Sequence, residues 1–271
     1  TKPLGSLGRI EELALTLWRI QGRRPLKADP ARVYTVAGDH GVAAQGVSPY
    51  PQEVTRQMVL NFLGNGAAIN VFCDTAGLDQ VVVDAGCLGE AFPEHPKLIS
   101  RRIKNGADDF TAGPAMNRED CLRALLLGVE LAQNAAAEGV ACLGTGEMGI
   151  ANTTPATALY CAYLGFKPEA IVGPGAGLAP ERLSHKAKVV AAGLEKHRAI
   201  VAGADPVAIL AALGGLEIAV LCGLVLGAAK AQLPIVVDGC ISTAAAAAAL
   251  ALAPRARASC IFSHGSAEPG H

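Results

Sequence analysis

Glu147 is the carboxylate whose setting best fits chemistry. It stands in Gly144-Thr145-Gly146-Glu147-Met148-Gly149, a glycine-rich stretch after the apolar run Val140–Leu143. Held beside a substrate, such a group can accept a proton or stabilise developing positive charge. The plainer alternative is a solvated loop acid or a helix-capping group. The same stretch matches the GxGxxG dinucleotide pattern, with Glu169 as the acid about twenty residues further on. Two features argue against a dinucleotide. Asn152-Thr153-Thr154-Pro155 reads as a helix cap and first turn, so the helix does not open within the glycines. Glu147 would also lie where the pyrophosphate must sit, and two anions there repel.

Further polar groups gather in other glycine-rich stretches. Gly173-Pro174-Gly175-Ala176-Gly177 precedes Lys186, and backbone N–H groups of such a loop, with a lysine in reach, suit a phosphate. Lys186 could equally be a surface lysine, since Lys188 and Lys196 follow it. Ser263 and Ser266 are candidate phosphate or hydroxyl donors, or ordinary loop residues. Asp39 and His40 could act as a base pair or as metal ligands. Neighbours at a strand end point opposite ways, however, so shaping the loop by hydrogen bonds is the simpler reading. The eight cysteines are scattered without a CxxC pair and mostly sit in apolar runs. They read as small buried hydrophobes of a reducing compartment, with no metal site among them.

The elements that must position these groups alternate. Val33–Ala37, Val81–Asp84, Val140–Leu143, Ile235–Val237 and Ser259–Phe262 read as strands. Helical spacing covers Ile10–Leu17, Val54–Phe72, Cys121–Glu138, Pro155–Leu164, Leu183–His197, two apolar segments within 206–230, and an alanine-rich helix after Gly239. Continuous apolar strands separated by helices predict a parallel sheet covered on both faces, an α/β fold. Several strands end at their carboxyl side in Gly38–Gly41, Gly144–Gly149, Asp238-Gly239 or Ser263–Ser266. Open α/β sheets bind ligands at that edge, so a shared site is expected there.

A net charge of −1 over 271 residues gives no electrostatic footprint for nucleic acid or an anionic membrane. The longest apolar stretch, Val207–Ala229, is interrupted by Glu217 and diluted by glycines, which argues for buried core helices over a membrane span. A cytoplasmic protein is expected. A final strand in a layered domain is normally covered by another helix, so native residues are expected beyond both printed ends.

Taken together these stretches resemble the nicotinate-nucleotide:dimethylbenzimidazole phosphoribosyltransferase family of cobalamin assembly. The resemblance rests on Lys2–Glu11, Gly38-Asp39-His40-Gly41-Val42, Gly113–Met116, the specific run Gly144–Pro155, Asp238-Gly239 and Ser263–Glu268, in family order. It implies a Rossmann-like sheet with a small helical domain built from the chain ends, residues 1–30 contributing to the latter and 31–271 forming the catalytic domain, as a homodimer. It implies transfer of ribose phosphate from nicotinate mononucleotide to a benzimidazole-type base, with inversion from β to α and without a metal or redox cofactor. Glu147 matches the family's supporting carboxylate; the general base is expected in a segment beyond residue 271. Gly146, Gly149, Gly175, Ala176, Gly177, Lys186, Ser263 and Ser266 are the nucleotide-side candidates. Asp39, His40, Tyr50 and Met58 are the acceptor-side ones. Members that use benzimidazoles often carry a serine and a glutamine where this chain has Tyr50 and Met58, so its acceptor preference is expected to differ. A non-catalytic nucleotide-binding partner subunit of the same fold is the alternative, and a nucleotide-dependent dehydrogenase a more distant one.

Overall fold

A computed structural model describes residues 2–22 and 25–271. In chain order the elements are α1 (Arg9–Gln21), β1 (Ala31–Gly38), α2 (Glu53–Leu63), α3 (Ala68–Ala76), β2 (Asp79–Gly86), β3 (Leu98–Ser100), α4 (Arg118–Ala137), β4 (Cys142–Met148) and α5 (Thr153–Leu164). They continue as α6 (Pro168–Ile171), α7 (Leu183–Lys196), α8 (Arg198–Ala202), α9 (Pro206–Leu213), α10 (Leu216–Lys230), β5 (Ile235–Val237), α11 (Gly239–Leu252) and β6 (Cys260–Phe262). Six parallel strands form one sheet in the order β3-β2-β1-β4-β5-β6. This is the doubly wound order, in which the chain reverses direction across the sheet between β1 and β4 and opens a crevice at their carboxyl ends.

Both faces of the sheet are covered. Tyr34 and Val36 of β1 join the large core beneath α4, α10 and α11, while Ala37 and Val82 join a smaller cluster with Val59, Phe62 and Phe92. The strand period of two thus assigns alternate residues to the two layers. Glycine lets the helices over the first face come close. A Cβ on Gly128 of α4 would stand 1.9 Å from the Val220 carbonyl oxygen, and one on Gly223 of α10 would stand 2.0 Å from that of Leu125. Helix α1 lies apart from the sheet, packing on residues 254–259 with much of its apolar side exposed.

Two expectations are corrected. The helical spacing over Val54–Phe72 belongs to two helices, α2 and α3, separated at residues 64–67 where Asn65 takes φ 56°. The strand expected to stop at Leu143 runs on through Gly144-Thr145-Gly146-Glu147 to Met148. Parallel pairing with β1 carries it, Val36 lying opposite Glu147 and Ala37 opposite Met148. The glycines of this stretch are therefore extended sheet, and no dinucleotide-binding turn forms there.

Candidate active site

The carboxyl ends of β1, β4 and β5 lie side by side, and the loops leaving them enclose a cleft of about 380 Å³, within the range of small-molecule sites. Residues 47–49, 147–153, 174–176 and 239–241 line it, with Ser266 and Glu268. The first turns of α5 and α11 both face this cleft, presenting Thr153 and residues 239–241. Helix N-termini carry N–H groups without intrahelical partners and favour a negative ligand.

Glu147 sits one residue from the end of β4, so the sheet fixes its backbone. Its Oε2 accepts a hydrogen bond from Asn152 Nδ2 at 2.5 Å. Asn152, expected as the α5 cap, makes no capping bond and turns to the carboxylate instead. Burial pushes the Glu147 carboxyl up to about 7; Glu217 and Asp238 push the same way, while the Asn152 bond and His40 oppose them. A group poised near neutrality can hold or yield a proton at working pH.

Beneath Glu147 lies a buried pair. His40 Nε2 meets Glu217 Oε1 at 2.6 Å, with both side chains out of solvent. Burial alone would pull the His40 imidazole down, but Glu217, with Asp39 and Glu147 behind it, holds it above its ordinary value. Asp39 points to the other face of the sheet, as strand alternation requires, and its Oδ2 accepts from the Leu88 N–H at 2.8 Å. Glycine admits the imidazole: a Cβ on Gly215 would stand 2.2 Å from His40 Cε1, and one on Gly149 3.1 Å from Nε2.

The opposite wall is the loop at residues 173–177. Lys186 of α7 is fully buried behind it, its Nζ donating to Thr153 Oγ1 at 2.7 Å and to the Gly173 carbonyl at 2.9 Å. Burial pulls this ammonium down to about 8, and the charge of Glu268 pushes it back up. The Gly175 N–H donates to Glu268 Oε1 at 2.7 Å.

Of the candidates named from sequence, Glu147, Gly149, Gly175, Ala176 and Ser266 line the cleft together. Lys186 lies one layer behind it, joined through Thr153. Gly146 stays within β4, Gly177 lies just past the lining, and Ser263 donates to Asp238 Oδ1 at 2.8 Å. Asp39 and His40 are buried below the cleft and do not line it. Tyr50 is half exposed beside the 47–49 rim, and Met58 packs into the smaller core cluster that Met148 also touches. Sequence reasoning gave no role to Glu217, Asn152 as a partner of Glu147, or Glu268. Glu217 carried a signal, as the one charge within an apolar helical run; its partner lies 177 positions away, which no local pattern reveals.

Comparison with known proteins identifies the family of the chain. A family profile described as phosphoribosyltransferase matches residues 1–271. The nicotinate-nucleotide–dimethylbenzimidazole phosphoribosyltransferase of Nitratidesulfovibrio vulgaris strain DP4 is 63% identical over all of this chain, which covers 76% of that protein. Its counterpart in Chlorobaculum tepidum is 50% identical over the same shares. The crystal structure of CobT from Thermus thermophilus superposes with a TM-score of 0.92 at 45% identity, covering 100% of this chain and 80% of that one. The chain therefore belongs to the phosphoribosyltransferase family that its sequence resembles.

Proposed function

We propose that this protein transfers the phosphoribosyl group of nicotinate mononucleotide to a nitrogen of a benzimidazole-type base, releasing nicotinate and an α-ribazole phosphate for cobamide synthesis. The observation that carries this reading is Glu147, a carboxylate fixed on a strand end in the crevice between β1 and β4, facing two helix N-termini and a glycine loop. The bond from C1′ to the pyridinium nitrogen breaks, its electron pair leaving with nicotinate, and a lone pair of the acceptor nitrogen forms the new bond. Nicotinate departs from a cationic ring, so it needs little acid assistance. The sugar passes through a cationic state that the Glu147 carboxylate stabilises, while the ring proton of the acceptor must go to a base. The loop at residues 173–177, Lys186 and Ser266 supply the phosphate side, with Ser263 and Gly177 at its margin.

Tyr50 and Met58 stand where members that use benzimidazoles often carry a serine and a glutamine, and their phenol and thioether favour bases other than plain dimethylbenzimidazole, including phenols. A homodimer, with residues 1–30 joined to a small helical domain, completes the proposal; the exposed apolar side of α1 is consistent with it. The test follows nicotinate release from nicotinate mononucleotide over a panel of benzimidazoles and phenols. Acceptor-dependent release is expected. Nucleotide binding without release under any acceptor would overturn the proposal in favour of a non-catalytic partner subunit.

A further inference from the structure

The cleft holds a contradiction for a phosphorylated substrate. Its charged lining side chains are Glu147 and Glu268, both acidic. Glu147 has a use at a developing sugar cation, whereas Glu268 has none there, because it lies against the glycine loop on the opposite wall. Its position is specific. Oε1 takes the Gly175 N–H, and Oε2 fills the space that a side chain on Gly173 would need, a Cβ there standing 2.1 Å away. Ser266 Oγ accepts the Glu268 N–H at 3.1 Å and closes the turn that aims it. Behind the loop stands Lys186, whose ammonium spends two of its three protons on Thr153 and Gly173. A backbone N–H, a lysine ammonium, a threonine hydroxyl and a glycine without a side chain are the parts of a phosphate seat, and a carboxylate occupies it.

A phosphate dianion and a carboxylate cannot share one N–H donor, because like charges at contact distance repel strongly in a partly dry site. We propose that Glu268 is the resident anion of the phosphate seat, and that a phosphorylated ligand binds by displacing it from Gly175. This rests on the phosphoribosyl-transfer reading for the identity of the ligand, but the seat and its occupant are matters of geometry. Glu268 stands on the segment after β6, outside any strand or helix and next to the exposed residues 263–265; His271 anchors the segment to Thr243 of α11, and turning the Glu268 side chain away from Gly175 disturbs no core element. The dianion offers more charge and more acceptor atoms than the carboxylate. A nucleoside lacking phosphate has nothing to exchange for it.

The test measures binding by calorimetry of inorganic phosphate, nicotinate mononucleotide and nicotinate riboside to the full-length protein and its Glu268→Gln variant. The amide can still accept from Gly175 but carries no charge, and a charge-assisted hydrogen bond exceeds a neutral one by roughly a factor of ten in affinity. Phosphate and the mononucleotide are each expected to bind about tenfold more tightly to the variant, with riboside binding unchanged. Unchanged or weaker phosphate binding would overturn the proposal, as would equal tightening of the riboside. A second measurement needs no variant: the Gly175 amide resonance of the wild-type protein should shift as phosphate is added, and a resonance that stays in place sinks the idea. Tighter phosphate binding with no mononucleotide binding in either protein would leave the displacement standing and remove the transferase reading instead.

Discussion

The two walls of the cleft are built differently. Glu147 stands on β4, paired to β1 residue by residue, with the buried His40–Glu217 pair beneath it and glycines where any side chain would collide. The phosphate-side wall consists of the loop at 173–177 and the segment after β6, tied to each other through Gly175 and Glu268 and to helices through single side chains, Lys186 to Gly173 and Thr243 to His271. One wall places a charge to within the tolerance of a packed sheet. The other can trade one anion for another. This division suits the proposed assignment, because a carboxylate that is to face the reacting carbon must not move while the nucleotide must enter and leave.

The sharpest way to break the comparison is to neutralise the fixed charge. Glu147→Gln keeps the shape and the Asn152 neighbour but removes the carboxylate, and kcat is expected to fall about 100- to 1,000-fold, the usual cost of losing one transition-state electrostatic partner. Nicotinate release at saturating substrate measures it. A loss below threefold would move the critical charge elsewhere. The wild-type rate should also fall with acid. The carboxyl is held up to about 7, so each pH unit below that value removes most of the remaining anion. Groups facing it are Asn152, His40, Glu217 and Asp238, and the limb should vanish in Glu147→Gln.

A glycine on each wall tests the difference in rigidity. A Cβ on Gly149 would stand 2.5 Å from the Gly38 carbonyl oxygen, backbone against backbone, so Gly149→Ala must push apart β1 and the end of β4. We expect a stability loss of about 1–3 kcal/mol, typical of overpacking, with a fall in kcat because Glu147 lies two residues away. Gly177, at φ 97°, has open space around its missing Cβ. Gly177→Ala should cost about 1–2 kcal/mol from the backbone conformation alone and raise the KM for the nucleotide more than it lowers kcat. Urea unfolding and steady-state kinetics on both variants decide it. Equal effects on kcat would mean that the walls are equally stiff.

The legibility of the chain follows the same division. Strands and helices were readable where apolar runs and helical periods are local, which covers β1, β2, β5, α4, α5, α7, α9, α10 and α11, while the short α6 and α8 carry too few residues for a period. Gly144 to Glu147 misled because glycine is unfavourable in isolated strands, and only the register against β1 makes the stretch extended. The break between α2 and α3 was hidden because helical spacing continues across it while Asn65 leaves the helical conformation. Glu147 was legible as a carboxylate among glycines. Glu217, the burial of Lys186 and the seat of Glu268 were not, since each is defined by partners brought from distant elements.

The smallest predicted effect concerns what the fixed wall costs the fold. Glu147 has a folded-state pKa raised above the ordinary carboxylate value, chiefly by burial. A raised carboxylate pKa means that the folded state binds the proton more tightly than the unfolded state. Its contribution to stability is therefore fully present below the unfolded value of about 4, and it is lost as pH rises through about 7. Above that pH the folded protein carries an incompletely solvated anion, the form that the role proposed for Glu147 requires. Glu147→Gln removes the anion but keeps a partner for Asn152, so its melting temperature should exceed that of the wild type by about 2–4 °C at pH 8, a shift worth roughly 1 kcal/mol in a chain of this size. At pH 4.5, where the wild-type group is already protonated, the two should melt together. A variant equally stabilised at both pH values would point to packing, and one destabilised at pH 8 would show that His40 and Asn152 compensate the charge fully.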